Sequence, residues 1–345
     1  MPKNQYKVSV ECITFNQAAY IEEAMNGFCQ QQTKFPFVCV IIDDASTDGE
    51  QEVIKSYLED NLDLGNKDVV RNEETNDYKM TFAQHRSNSN CFFAVFLLKY
   101  NHYQKKKSKR AYFLEWTQNA KYIAICEGDD YWTFPTKLQM QVEEMDSNNR
   151  IGLCYTNARV YIQSKNKYEK PFSHPYLGTR DLLSHNPIMT LTTMFRRDMY
   201  FNYLEEVTPE QHDWKLGDYP LWIWLAIHSD IKYIDIVTSV YRMLDNSASH
   251  SPNIEKNVSF IKSINDVRLY YINRYFPDDQ QLKDQVDNDL FFRLANAYDQ
   301  NNDRVNYIKY LKMMKSTTPS SRFRWLLYSN DFLYFLYKFI KRFSK

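Results

Sequence analysis

The sequence predicts an α/β fold, a mostly parallel central sheet flanked by helices, with a helical appendage after it. Three observations carry this. Short apolar runs alternate with segments of helical period through about the first 160 residues. One of those runs, FVCVII at 37–42, is continuous, as a strand buried on both faces requires. Beyond about residue 255 the period is helical throughout. Strand and helix in alternation build parallel sheets, because a parallel neighbour needs a crossover connection.

Taken in order, residues 8–13 (VSVECI) form a first strand. Residues 17–32 follow as a helix, with Ile21, Ala24, Met25, Phe28 and Cys29 on one stripe. The strand at 37–42 leads into a helix over 50–58, with Val53, Ile54, Tyr57 and Leu58 on one side. Residues 61–90 are polar and read as loops, with Arg71, Glu73, Glu74 and Asn76 clustered. Residues 99–110 (KYNHYQKKKSKR) hold Lys105, Lys106, Lys107, Lys109 and Arg110, a solvated face or a contact for an anionic acceptor or lipid headgroups. A third strand at 122–126, a helix marked by Leu138, Val142 and Met145, and a strand at 151–156 complete the alternation.

In the appendage, Ile261, Ile264 and Val267 mark one helix, Val286, Leu290 and Leu294 a second, and Tyr307, Ile308 and Leu311 a third. The segment 321–345 sets aromatics among Arg322, Arg324, Lys338, Lys341 and Arg342, with Asp331 its one acid. That composition suits an interfacial amphipathic helix in peripheral contact with a membrane through 320–345. Packing on the protein's own body, or in a homodimer, fits the apolar face equally.

Composition narrows the function classes. The 43 basic and 43 acidic residues cancel, so nothing draws the chain toward nucleic acid. With 43% apolar and 16% aromatic residues the chain is a globular one. Six cysteines without a CxxC pair read as buried free thiols in a reducing compartment. The first residues lack the apolar core of a signal peptide, and no run reaches the roughly 18 apolar residues of a spanning helix. The expected location is the cytoplasm, or the inner face of the cell membrane.

The chemistry lies at the strand ends. The first strand runs into Thr14-Phe15-Asn16, the second into Asp43-Asp44-Ala45-Ser46-Thr47-Asp48-Gly49, and the third into Glu127-Gly128-Asp129-Asp130. Ligands of an open parallel sheet bind outside the carboxyl ends of its strands, so the three clusters converge on one crevice. Ser46, Thr47 or Asp48 is expected to cap the next helix, and Thr14 and Asn16 also suit plain turns. Two carboxylates about 4 Å apart repel by roughly 4 kcal/mol at an effective dielectric of 20. Glu127, Asp129 and Asp130 therefore call for a cation or a raised pKa, and all-oxygen ligation suits Mg²⁺ or Mn²⁺. Such an ion commonly bridges carboxylates to phosphates, which points to a diphosphate-bearing ligand. G-x-G, the P-loop, H-E-x-x-H and G-x-S-x-G are all absent.

Three stretches resemble family 2 glycosyltransferases of the GT-A fold. VSVECITFNQAAYIEEAMNGFCQQ is similar to that family's opening strand and helix, IIDDASTDG to its V-D-D-x-S-T-D-G turn, and YIAICEGDDYWTFPTKLQMQV to its D-x-D stretch. The resemblance runs from about residue 7 to 250. It implies a GT-A domain over 1–250, a Rossmann-like sheet flanked by helices, with a helical region over 251–345. It also implies a hexosyltransferase-class enzyme that takes a nucleoside-diphosphate sugar as donor and a glycan or lipid-linked glycan as acceptor, in bacterial surface-polysaccharide synthesis. Transfer would be inverting and dependent on Mn²⁺ or Mg²⁺.

By position, the resemblance assigns Thr14 and Asn16 to the donor and the Asp43-Asp44 pair to the nucleotide base, with Asp44 in direct contact. Asp129 becomes the metal ligand, Glu127 serves ribose or a metal-bound water, and Asp130 supports them. Glu127 stands where most relatives have Asp. Asp218 is the implied base, in LGDYPLW, where Gly217 replaces the usual preceding Glu; Asp213 is the fallback. Arg242 or His250 would meet the diphosphate, and residues 190–196, with Thr192 and Thr193, would line the acceptor side. Trp132 would offer a platform to a sugar ring, or else belong to the core. The family's A-R-N is missing, so the metal alone or the 105–110 run would offset phosphate charge. The alternatives are a sugar nucleotidyltransferase, which normally needs a basic glycine-rich N-terminal loop that VECITFNQ lacks, and a non-catalytic nucleotide-sugar-binding module.

Overall fold

The computed structural model describes residues 5–244 and 253–315. Two compact units divide them. The larger takes the residues to Leu177, Pro187–Thr208 and Trp224–Met243. The smaller takes Gly178–Asn186, Pro209–Ile223 and the described residues after Met243. The helical unit thus draws in two segments from before residue 250.

The larger unit is built on one mixed sheet. Its strands are β1 (Tyr6–Thr14), β2 (Phe37–Asp43), β3 (Arg71–Glu74), β4 (Tyr78–Gln84), β5 (Cys91–Leu98), β6 (Ala120–Ile125), β7 (Tyr131–Trp132), β8 (Ile151–Ile162), β9 (Lys167–Pro171), β10 (Thr193–Arg196) and β11 (Asp230–Met243). The order is β3-β4-β5-β2-β1-β6-β10-β8-β11-β7, with β9 on β8. β5, β2, β1 and β6 run parallel, whereas β4 and β10 are antiparallel to their neighbours.

Helices α1 (Ile21–Cys29), α2 (Glu50–Asn61) and α4 (Lys137–Ser147) cover one face, burying Met25, Phe28, Ile54, Leu138 and Val142 against Val10, Cys12, Cys39 and Ile41. α3 (Arg110–Gln118) covers the other, where Phe113 and Trp116 meet Val38, Val40 and Phe96. β2 is buried along its whole length, as its unbroken apolar run requires. Glu11 also lies on the α3 face; it accepts from Thr117 Oγ1 at 2.8 Å, and burial pushes its carboxyl up to about 7. α6 (Arg197–Val207) belongs to this unit as well.

Residues 61–90 depart from expectation. They form the β3–β4 hairpin, and the unassigned run CFFAVFLL is β5. All six cysteines are free, and five are buried.

The smaller unit holds α5 (Thr179–Leu182), the start of α7 (Asp218–His228), α8 (Ile254–Tyr275), α9 (Gln280–Gln300) and α10 (Arg304–Met313). Side chains of Asn253, Asp279 and Asp303 each accept a backbone N–H of the first turn at 3.0 Å, which fixes where α8, α9 and α10 begin. Ile261 packs with Leu294 and Ala297, and Ala295 with Tyr307 and Leu311. Among the described residues no helix is long and apolar enough to cross a membrane. The 320–345 segment lies outside them.

Candidate functional site

The parallel register aligns Thr14 with Asp43, and Gly128 N–H donates to Ile13 O at 3.2 Å, so the three strand ends meet. Gly128 is needed there. A Cβ on it would lie 2.6 Å from Gln17 Oε1 and closer still to the Thr14 hydroxyl. Thr14 Oγ1 sits 2.8 Å from Gln17 Oε1 and donates to Glu50.

Glu50 organises the first two loops. It is fully buried and accepts from Gln17 N–H and Ser46 Oγ, both at 2.8 Å, while burial raises its pKa. Sequence reasoning missed it, taking it only as the start of a helix. Asn16 ties the same loops together, its N–H donating to Ser46 Oγ and its Oδ1 accepting Thr47 N–H, both at 2.8 Å. Asn16 (φ 55°) and Ala45 (φ 60°) are left-handed, which costs a side chain about 1–2 kcal/mol unless local bonds hold it. Asp48 accepts Glu50 N–H at 3.1 Å and so provides the expected helix-start acceptor, although the N-cap residue itself is Gly49.

The two acids of the second strand end differ. Asp43 Oδ2 accepts from Ser46 N–H at 3.2 Å and Gln51 Nε2 at 2.5 Å. Its Oδ1 is buried with no hydrogen-bond partner among the described residues, and burial raises its pKa. Asp44, by contrast, is well supplied. It accepts His102 N–H at 2.6 Å, Tyr103 N–H at 3.1 Å and Lys109 Nζ at 2.8 Å. Of the basic run, Lys109 is the one drawn inward to Asp44. Lys105 and Lys107 are exposed and lie over the Tyr100 ring at 4.2 and 4.7 Å.

The third strand end carries the crowded carboxylates. One oxygen each from Glu127, Asp129 and Asp130 lies within 4.8 Å of the others. Glu127 is exposed, Asp129 half-buried and Asp130 buried. Asp130 Oδ1 accepts Arg242 N–H at 2.7 Å. Burial raises the pKa of Asp129, and burial together with the charges of Asp129 and Glu127 raises that of Asp130 well above the usual range. Three hard oxygen donors converging in this way suit a divalent cation of the Mg²⁺ or Mn²⁺ kind.

Arg242 is engaged rather than open. Nε donates to Asp129 O at 2.9 Å, one terminal nitrogen to Gln163 Oε1 at 2.6 Å, and the other pairs with Glu23. The guanidinium also lies 4.5 Å from the Tyr20 ring and 5.3 Å from that of Tyr131. It therefore clamps the acidic loop, and a diphosphate would have to displace these partners to reach it. His250 lies outside the described residues.

Three acceptor-side candidates are enclosed. Trp132 packs edge-to-face on Phe28 at 5.0 Å, donates its indole N–H to Leu191 O at 2.8 Å and has Lys137 Nζ 4.2 Å from its ring. Of its two readings, the core one is what the structure has. Thr192 and Thr193 are fully buried, their hydroxyls spent on Met189 O and Thr190 O at 2.7 Å. Any part they play toward an acceptor is as support beneath it.

In the helical unit Asp218 is the first residue of α7, and its Oδ1 accepts Tyr219 N–H at 2.7 Å. Asp213 is nearly fully exposed and pairs with Lys215 at 2.7 Å.

Residues 9–80 match Glycosyl transferase family 2. Uncharacterized proteins of Mycobacterium tuberculosis and Mycobacterium bovis are 29% identical over 248 residues, 71% of this chain and 61% of their own length. The chain thus spans about three fifths of the curated relatives it matches. Among solved structures, the mannosyltransferase PcManGT from Pyrobaculum calidifontis, in complex with GDP-Man and Mn²⁺, is 12% identical with a TM-score of 0.50, over 95% of this chain and 86% of that one. S. aureus TarS 1–349 in complex with UDP-GlcNAc is 15% identical with a TM-score of 0.47, over 87% and 89%. The likeness to the mannosyltransferase is one of fold, the GT-A architecture.

Proposed function

From the match of residues 9–80 to Glycosyl transferase family 2, we propose that the chain transfers a sugar from a nucleoside-diphosphate sugar to an acceptor hydroxyl with inversion. The observation that carries this reading is the convergence of three carboxylates within 4.8 Å beside two further strand-end loops. The mannosyltransferase of like fold, solved with GDP-Man and Mn²⁺, supports the same donor class and ion. Asp129, with Glu127 beside it, would hold Mn²⁺ or Mg²⁺. When bound, that ion would supply positive charge for the departing diphosphate.

The chain's own residues divide the remaining work. Asp43, with its unpartnered Oδ1, is the stronger candidate to accept an N–H of the nucleotide base, with Asp44 holding the 102–109 loop beside it. Thr14 and Asn16 shape the donor loop, and Arg242 fixes the acidic loop through Asp129 O and Asp130. Asp218 takes the proton of the acceptor hydroxyl as its oxygen bonds to the anomeric carbon and the carbon–diphosphate bond breaks. The acceptor is a glycan or lipid-linked glycan of the bacterial surface, met at the cytoplasmic face, with residues 320–345 or a second copy of the chain assisting.

The experiment is a pair of measurements on Asp218→Asn, donor binding by thermal shift and transfer by product formation. Binding kept and transfer lost is the expected result. Transfer at the wild-type rate removes Asp218 from the role.

A further inference from the structure

We propose that Arg268, on α8, is a positioning residue for Asp218. This rests on the reading of Asp218 as the base. The observation is how segment 209–223 is fastened. Lys215 N–H donates to Ser263 Oγ at 2.8 Å, and Trp214, stacked on His212 at 4.0 Å, meets the Tyr270 ring edge-on at 5.4 Å. Tyr271 donates its hydroxyl to Pro220 O at 2.8 Å. Arg268 Nε donates to Tyr219 Oη at 3.2 Å, and that hydroxyl donates onward to Leu182 O at 2.9 Å. Four residues of one helix thus hold the stretch on either side of Asp218.

Arg268 is the buried member that carries charge. Its remaining nitrogens donate to Asp289 on α9 at 2.5 Å and to Ser184 O at 3.0 Å. A buried guanidinium needs all such partners, so its place is fixed by α9 and by the 178–186 segment together. The fixed arginine then fixes Tyr219, whose N–H donates to the Asp218 carboxylate at 2.7 Å. Position passes from α9 through Arg268 and Tyr219 to the carboxylate, along residues 70 positions apart in sequence (Asp289 and Tyr219).

The test uses the full chain carrying Arg268→Gln. In hydrogen exchange, peptides covering 214–223 should exchange about tenfold faster than wild type, with β1 and β2 unchanged. In turnover of UDP-GlcNAc or GDP-mannose with Mn²⁺, kcat should fall about 10- to 100-fold while the donor KM moves less than about twofold. Arg268→Lys should recover part of kcat. Where Arg268→Gln fails to fold, Tyr271→Phe, which removes one hydroxyl, should give smaller changes of the same sign. Unchanged exchange over 214–223, or loosened exchange with unchanged kcat, overturns the proposal. If Asp218→Asn transfers normally, it is the reading of the base that fails, and the exchange result separates the two.

Discussion

The Asp43-Asp44 turn and the 127–130 loop both close parallel strands with adjacent acids, yet they balance their charge in opposite ways. At the turn, Asp44 is met by two backbone N–H groups and Lys109, and Asp43 by Ser46 and Gln51. Asp44 thus meets a charge from the protein itself, Lys109, while Asp43 Oδ1 has no hydrogen-bond partner among the described residues. At the loop, three carboxylates share a 4.8 Å neighbourhood, and Arg242, which donates to Asp129 O, is also paired with Glu23. The negative charge is concentrated rather than dispersed. The comparison teaches that acid-rich strand ends are told apart by their donors, not by their acids.

The largest break in the comparison should come from Asp129→Ala. Mn²⁺-dependent transfer should drop by about 10²–10³-fold, in line with removing one preorganised electrostatic group. Turnover against Mn²⁺ concentration measures it; an unchanged curve would make the loop as self-sufficient as the turn. Next, Gly128→Ala forces a Cβ against Gln17 and Thr14 and should cost about 2–3 kcal/mol in urea unfolding. A neutral result would mean the loops yield easily.

Lys109→Met tests the turn. Asp44 keeps two backbone donors, so the cost should be about 1–2 kcal/mol, and added Mn²⁺ should not restore it. Restoration by Mn²⁺ would erase the distinction between the two sites. The smallest effect is a control away from both. Burial raises Glu11 from 4.5 to about 7, so the folded state holds its proton more tightly than the unfolded chain. That contribution is complete below about pH 4.5 and is lost as pH rises through 7. Wild type should lose about 1 kcal/mol between pH 5 and 8, after allowing for partial exposure, and Glu11→Gln should flatten the slope. Urea midpoints at the two pH values check this.

Much of the architecture was legible because burial leaves a period. β1, β2, β6, α1, α2 and the appendage helices all carry apolar stripes or runs. The β3–β4 hairpin was not, since β3 is an edge strand of RNEE with no buried residue and shows no alternation. The acids were legible as a cluster, but their partners were not. Lys109 lies 65 residues from Asp44, and Arg242 is 113 residues from Asp129, distances only the fold can close. Trp132 could be core or platform from sequence alone; Phe28 and Leu191 make it core.

The central claim is the proposal that Glu127, Asp129 and Asp130 together hold a divalent cation. Titration of Mn²⁺ into wild type and Asp129→Ala in the presence of UDP or GDP, followed by the EPR signal of free Mn²⁺, tests it most directly. One saturable site in wild type, weakened at least about tenfold in Asp129→Ala, is the predicted result. Equal binding by the two proteins, or no binding by wild type, would contradict the account.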